Sequence, residues 1–255
     1  MIHPTAIVDP SAKIAESAEI GPYAIIGADV EIGARTIVGP HVVIKGPTLI
    51  GQDNEIHQFA SIGDIPQDLN FDKSANTKLI IGDRNSIREY VSIHRAIEKE
   101  DHITQIGDDN MLMAHVHIGH NCILGNKIVI VNSTNLAGHV HVGDWAIISG
   151  FSGIHQFCRI GAHCMLGIQS KVTQDIPPYV MYAESSPKTI NAVGLQRRGF
   201  EKTDILKIRR AFKTIYRKGL TQDEMLAELQ VMAEESDSVK IMLEFIKSSP
   251  RGIAR

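Results

Sequence analysis

An aliphatic residue recurs at every sixth position from the start of the chain: Ile2, Val8, Ile14, Ile20, Ile26, Ile32, Val38, Ile44, Ile50, Ile56 and Ile62. The beat slips, resumes at Ile81, Ile87 and Ile93, slips again, and then runs unbroken from Ile106 to Val172. A period of six is neither the helical period nor the strict alternation of a half-buried strand. It predicts a solenoid of short strands, each turning one aliphatic side chain inward at a fixed place. The fourth residue after the aliphatic is usually small, as at Ala18, Ala24, Thr36, Thr48 and Ala60, and supplies a second inward position. Gly and Asn residues between these positions are expected to take the turns, where a positive φ costs them little.

The beat resembles that of the hexapeptide-repeat acyltransferases. That resemblance implies a mainly β fold, a left-handed parallel β-helix with three hexads per triangular coil. Residues 18 apart then stack at roughly 4.8 Å, the spacing of hydrogen-bonded strands. The β-helix is expected over 1–178, with excursions at 63–80 and 94–105 where the beat slips. Long insertions in solenoids gather on particular faces and are often functional. The paired Pro177 and Pro178 are expected to end the ladder. An irregular linker, 179–198, then leads to a helical domain, 199–255. Its first helix carries the apolar stripe Ile205, Ile208, Phe212, Ile215 and Tyr216. Thr221 and Glu224 open the second with a capping box, and Val239, Met242, Leu243 and Ile246 mark the third.

The net charge of −3 gives no reason to expect nucleic acid as a partner. It conceals an asymmetry. Arg197–Lys218 holds nine Lys/Arg against two acids, a basic helix suited to an acidic partner or simply to a solvated face. Cys122, Cys158 and Cys164 all fall in the small inward slot, and two coils separate the first two by about 10 Å, too far for a disulfide. They read as packing residues of a protein in a reducing, cytoplasmic setting. Met1–Ser11 already belongs to the repeat, so no signal peptide is expected, and no apolar run of about 18 residues offers a transmembrane segment.

The chain carries 12 histidines. His3, His41 and His163 read as surface turn residues. The hexads at Ile118, Leu136 and Ile154 stack on one side of the prism, so His120, Gly138, His139, His155 and Gln156 share one ribbon. A neutral imidazole suits removal of a hydroxyl proton near neutral pH. The amide at Gly138, with no side chain beside it, suits a developing oxyanion. An alternative use of His115, His117 and His120 is zinc binding, although no Cys or carboxylate completes such a set.

Longer stretches resemble one family in particular, the acyl-carrier-protein-dependent UDP-N-acetylglucosamine O-acyltransferases of lipid A biosynthesis. They include Asn54–Gly63, Pro66–Leu69, Ile93–Arg95, His117–His120, Leu136–Val140, His155–Cys158, Gln174–Tyr179 and Gly194–Phe200. The resemblance implies that His120 is the general base and Gly138 the oxyanion donor. It places acceptor contacts on Asp68, His94, His117, His139, His155 and Gln156, and nucleotide contacts on Asn191, Arg197 and Arg198. It implies a homotrimer with sites between subunits, an acidic acyl carrier protein as donor, a UDP-sugar as acceptor, and neither metal nor soluble cofactor. Gly150 and Ile168 fall on the acyl-chain path, with Ile168 as a ruler that favours shorter chains than a glycine would.

Three positions depart from the family pattern: Asn70 replaces a lysine, Asn121 an acid after the catalytic histidine, and Val193 a glutamate. They leave open a 3-amino acceptor in place of the 3-hydroxyl. A coenzyme-A-dependent hexapeptide transferase and an inert β-helical scaffold are the other readings. The first leaves Arg197 and Arg198 without a reason, and the second leaves the stacked histidines without one.

Overall fold

The structure is a computed structural model that describes residues 1–69, 71–72, 74–98 and 102–255. Among these residues, strands mostly two residues long are laid side by side into three parallel sheets. From Ile7 to Val172 each strand pairs with the third strand along the chain, so every coil contributes one strand to each face of a triangular prism. The registers Ile7↔Ile25 and Ile118↔Leu136 each advance by 18 residues, as three hexads per coil require. The winding is that of the left-handed parallel β-helix.

The first face runs from Ile7–Val8 through His117–Ile118, Asn135–Leu136 and Gly153–Ile154 to Lys171–Val172. The second runs from Lys13–Ile14 to Arg159–Ile160, and the third starts at Glu19–Ile20. The beat aliphatics from Ile20 to Val172 fill the interior, among them Ile44, Ile93, Ile118 and Leu166, all fully buried. The small slots are buried with them, as at Ala24, Thr36 and Val116. Cys122, Cys158 and Cys164 are free thiols in that slot, and burial pushes each well up, Cys122 and Cys164 to about 12. They pack and do not react.

The glycines do not do what was expected of them. In most hexads the third residue after the aliphatic is left-handed, and it is often large: Tyr23, Arg35, Phe59, Tyr90, His115, Trp145 and His163 all have φ near +60°. Gly33, directly after its aliphatic, serves close approach instead. A Cβ there would lie 2.5 Å from the backbone carbon and oxygen of Gly51 in the next coil. A left-handed L-residue costs about 1–2 kcal/mol. Stacking between coils offsets part of that at about 0.5–1.5 kcal/mol per aromatic pair. Tyr23, His41, Phe59, Tyr90 and His115 accordingly form one continuous stack along the edge between the third and first faces, at 4.8–5.3 Å between rings.

Both slips in the beat occur at the edge between the first and second faces. The first excursion lies between strands Ser61–Asp64 and Lys78–Ile81, the second between Ser92–His94 and Ile103–Ile106. Arg95 ties them together. It donates to the Gly46 carbonyl at 2.8 Å and lies over the Phe71 ring. Asn70 lies outside the described residues.

The prolines do not stop the ladder, and residues 179–198 are not irregular. Ile160 still bridges to Ile176, and Val180–Ala183 adds a parallel strand to the third face, with Met165 opposite Met181. It turns back as Ser186–Ile190, and helix α1 (Ala192–Arg197) follows. Helices α2 (Lys202–Tyr216), α3 (Gln222–Ala233) and α4 (Asp237–Lys247) complete the chain, and the Thr221–Glu224 capping box forms at the start of α3. Their apolar faces join the interior of the β-helix in one core, which the C-terminal residues Ile253 and Ala254 enter beside Asp175.

Candidate active site

The first face and its edge with the second bring most of the predicted histidines together. His117 begins its strand and points outward, hydrogen-bonded through Nδ1 to the Ser92 hydroxyl at 2.8 Å. His94, opposite Asp64 at the end of its own strand, meets His117 edge-on at 4.9 Å. His120, two residues past Ile118, meets His139 edge-on at 5.1 Å, and His139 stacks on Phe157 at 4.5 Å. His155 is exposed and hydrogen-bonds the Gln156 carbonyl. A shallow cavity of about 460 Å³ on this face is lined by His117, Asn135, Ala137, His155 and Lys171, among others.

Burial sets the protonation of two of these imidazoles. Burial, then the neighbouring His94 and His120, pushes His117 down to about 4. Burial also lowers His94, against the pull of Asp64. At neutral pH both are uncharged, so neither opposes an imidazolium forming on His120.

A stability prediction follows. The native His117 resists a proton that the unfolded chain accepts near 6.5, so the native state binds fewer protons between about pH 6.5 and about pH 4. Its contribution is complete above that window and is lost as pH falls through it. Thermal melts across the window are expected to show a smaller loss of Tm for His117→Asn than for the native protein. Equal losses would mean that His117 is not the group involved.

The hydrogen bonds around Asn121 fix the tautomer of His120. Asn121 is buried, and its Oδ1 accepts the Ile97 N–H at 2.9 Å while its Nδ2 donates to the Ile97 carbonyl. A backbone N–H can only donate, so the oxygen is the atom that faces Nδ1 of His120, at 3.1 Å. Nδ1 must therefore carry the proton, which puts the ring's basic lone pair on Nε2. Asn121, in place of an acid, orients the imidazole without adding a negative charge. It also ties that ring to the second excursion.

Gly138 lies in the next coil, directly beneath the imidazole. A Cβ on it would stand 2.5 Å from Cε1 and 2.6 Å from Nε2 of His120. The amides of His139 and Ala137 are used within the ladder, by the carbonyls of His120 and Ile154. Among the described residues the Gly138 N–H has no acceptor. The hexad leaves the amide two past its aliphatic unused on other coils too, as at Ala114 and Asn132. At Gly138 alone such an amide lies under the His120 ring. A base and a fixed donor for negative charge, side by side on a rigid ladder, are the two groups that acyl transfer to a hydroxyl requires.

Other predicted residues stand elsewhere. Asp68 lies in the first excursion, half-buried, its backbone carbonyl accepting the Phe71 N–H. His115 is not with His117 and His120, because its ring lies flat on Tyr90 at another edge, so these three histidines do not converge on a metal. Asn132, Gly150 and Ile168 stack on that same edge, and Ile168 is 66 % exposed. Arg198 lies at the edge between the second and third faces, and Arg197 is exposed beside it. The Asn191 side chain is engaged within the chain: its oxygen caps α1 at Gly194 and its nitrogen donates to the His163 carbonyl. His163 is no surface turn residue, since Arg198, Trp145, Tyr179 and Phe200 all pack on it. Its signal in the sequence was available, because Lys127, Trp145 and His163 are spaced by 18.

Residues 175–254 match a family described as UDP N-acetylglucosamine O-acyltransferase, domain 2, and residues 11–46 match the bacterial transferase hexapeptide repeat. The chain is 53 % identical, over all of its length and 99 % of the relative, to the acyl-[acyl-carrier-protein]–UDP-N-acetylglucosamine O-acyltransferase of Burkholderia lata. It superposes on the UDP-N-acetylglucosamine acyltransferase of Francisella novicida with a TM-score of 0.98 at 44 % identity, over the whole chain and 94 % of that structure. The Acinetobacter baumannii structure gives 0.97 at 43 %, covering 100 % and 99 %. Fold, repeat and relatives together define a hexapeptide-repeat acyltransferase. More narrowly, the chain belongs to the family of acyl-[acyl-carrier-protein]–UDP-N-acetylglucosamine O-acyltransferases.

Proposed function

We propose that the protein transfers a 3-hydroxyacyl group from acyl carrier protein to the glucosamine 3-hydroxyl of UDP-N-acetylglucosamine, the first step of lipid A biosynthesis. The observation that carries the mechanism is the His120 ring, fixed as its Nδ1–H tautomer, over the unused amide of Gly138. Nε2 of His120 removes the hydroxyl proton as the oxygen attacks the thioester carbonyl carbon. The Gly138 N–H donates to the resulting oxyanion. Collapse breaks the C–S bond, and the departing thiolate recovers the proton from His120. The thioester supplies the driving force, so the scheme needs no metal or soluble cofactor.

The nucleotide end of the acceptor is assigned to Arg197 and Arg198. The edge that holds Arg198 is separated from His120 by the whole second face, so the reading requires a neighbouring copy to complete each site. A homotrimer meets that requirement. The exposed edge of Tyr23, Phe59, Tyr90 and Phe151 supports packing against a second copy. The carrier protein is assigned to the basic face of α2. There Lys207, Arg210 and Lys213, with Lys218, line a cavity of about 290 Å³ whose apolar wall includes Met232 and Val239. Among the described residues no helix is long and apolar enough to cross a membrane.

Purified protein offered 3-hydroxyacyl carrier proteins of several lengths, with UDP-N-acetylglucosamine or its 3-amino analogue, tests the reading. Ester formation on the 3-hydroxyl is the expected outcome. The 3-amino acceptor is the second reading. The uncharged Asn121 behind His120 favours it, because an amine needs a weaker base. A product formed only from the amine would replace the first reading with the second, and no product from either would overturn both. The same assay checks the acyl path. Ile168→Gly is expected to shift preference toward donors longer by several carbons, and an unchanged length profile would reject Ile168 as the ruler.

A further inference from the structure

Arg198 is a half-buried guanidinium for which the chain supplies no carboxylate among the described residues. Burial lowers its pKa, with no acid to compensate. Among the described residues its acceptor is Nδ1 of His163, at 3.1 Å from Nη1. The guanidinium lies over the Trp145 ring at 5.1 Å, and the Lys127 ammonium lies over the same ring at 4.6 Å. Two cations on one indole, neither with a counter-ion at hydrogen-bond distance among the described residues, are a charge arrangement that an anion completes.

His163 is held more firmly than Arg198 is. Its ring lies between Trp145, at 6.3 Å, and Tyr179, at 5.7 Å, with Phe200 edge-on at 5.1 Å. Its backbone is fixed at both ends, the N–H by the Asp144 carbonyl and the carbonyl by the Asn191 side chain. Because an arginine can only donate, Nδ1 of His163 must be unprotonated to receive it. A protonated ring there would repel the guanidinium and lose the hydrogen bond.

We propose that His163 is a positioning residue for nucleotide recognition: as an uncharged acceptor it aims Arg198, over the Trp145 ring, so that the remaining N–H groups meet the diphosphate of the acceptor. This rests on the reading of the acceptor as a UDP-sugar. A fork fixed before binding loses less freedom when it engages phosphate oxygens. His163 itself does not touch the ligand, so its removal is expected to act on acceptor affinity and not on the chemical step.

The test compares His163→Phe with His163→Asn. Phenylalanine keeps the stacked ring and removes the acceptor. Asparagine gives up the ring but places Oδ1 near the position of Nδ1, and it tolerates the left-handed backbone at φ 60°. His163→Phe is expected to raise KM for the UDP-sugar and Kd for free UDP about tenfold, with kcat within about twofold. His163→Asn is expected to recover most of the loss. Equal KM values in the native protein and both variants would overturn the proposal, as would a fall in kcat with KM unchanged. Loss in both variants would assign His163 to packing alone and overturn it too. Should the native protein bind neither UDP nor the UDP-sugar, the functional reading fails, and this proposal with it. Native binding with an unaffected His163→Phe variant sinks the positioning role only.

Discussion

His120→Ala is expected to lower kcat by about 10²–10⁴, the range in which a positioned general base contributes, while leaving the fold intact. The imidazole has nothing to do with the core: it is half-exposed at an edge, and the coil beneath it is held by backbone bonds and by Ile118 and Leu136. Asn121 keeps its two bonds to Ile97 without the imidazole, so the second excursion keeps its anchor. The loss should therefore fall on kcat, with KM for the UDP-sugar within about threefold and Tm nearly unchanged. The remaining rate would come from the Gly138 amide and from bound substrates held in place. Steady-state kinetics beside a thermal melt check both halves. Undiminished turnover would remove His120 from the mechanism. A collapsed melt would mean that the residue is structural and that the kinetic loss says nothing about base catalysis.

How much of this was legible in the chain follows from where the period holds. Within an unbroken run of hexads, position decides contact. His120, Gly138 and Gln156 are 18 apart, and so are Asn121, His139 and Phe157, so the ladder of the site can be counted off the sequence. Where the beat slips, the arithmetic fails. Ser92 and His117 form a close hydrogen bond, yet 25 residues separate them, because the second excursion adds seven to the coil. Asn121 reaching back to Ile97 is hidden in the same way. The turns misled for a different reason. Glycine and asparagine propensity speaks of a single chain, whereas the hexad assigns positive φ by its place in the coil and lets stacked rings offset the cost at Tyr23, Phe59 and Tyr90. His163 was missed for want of applying a count that was there: Lys127, Trp145 and His163 keep the 18-residue spacing on the edge that carries Arg198. The strand Val180–Ala183 was missed because Pro177 and Pro178 precede the strand and so remove no bond from its ladder.

Gly138→Ala tests the arrangement of base and amide with a single methyl group. At most glycines in the coils an added Cβ meets backbone, as at Gly33, where the next coil would have to move. At Gly138 it meets a side chain, with Cε1, Nε2 and Nδ1 of His120 at 2.5, 2.6 and 3.0 Å. The backbone there is not left-handed, so alanine brings no strain of its own. The flexible partner is the one that gives way. The imidazole must swing off the coil, which stretches its hydrogen bond to Asn121 and carries Nε2 away from the point at which the hydroxyl proton is taken. The methyl also narrows the approach of the thioester oxygen to the Gly138 N–H, whose loss alone is worth about 10²–10³ in comparable sites. A fall in kcat of at least about 100-fold is expected, with Tm lowered by no more than about 3 °C, because the displaced ring is outside the core. Repeating Gly138→Ala in a His120→Ala background separates the two contributions. No imidazole is then there to be displaced, so a further fall in kcat is expected if the amide carries part of the rate. No further fall would assign the whole effect to the position of the base and leave the amide without a catalytic share.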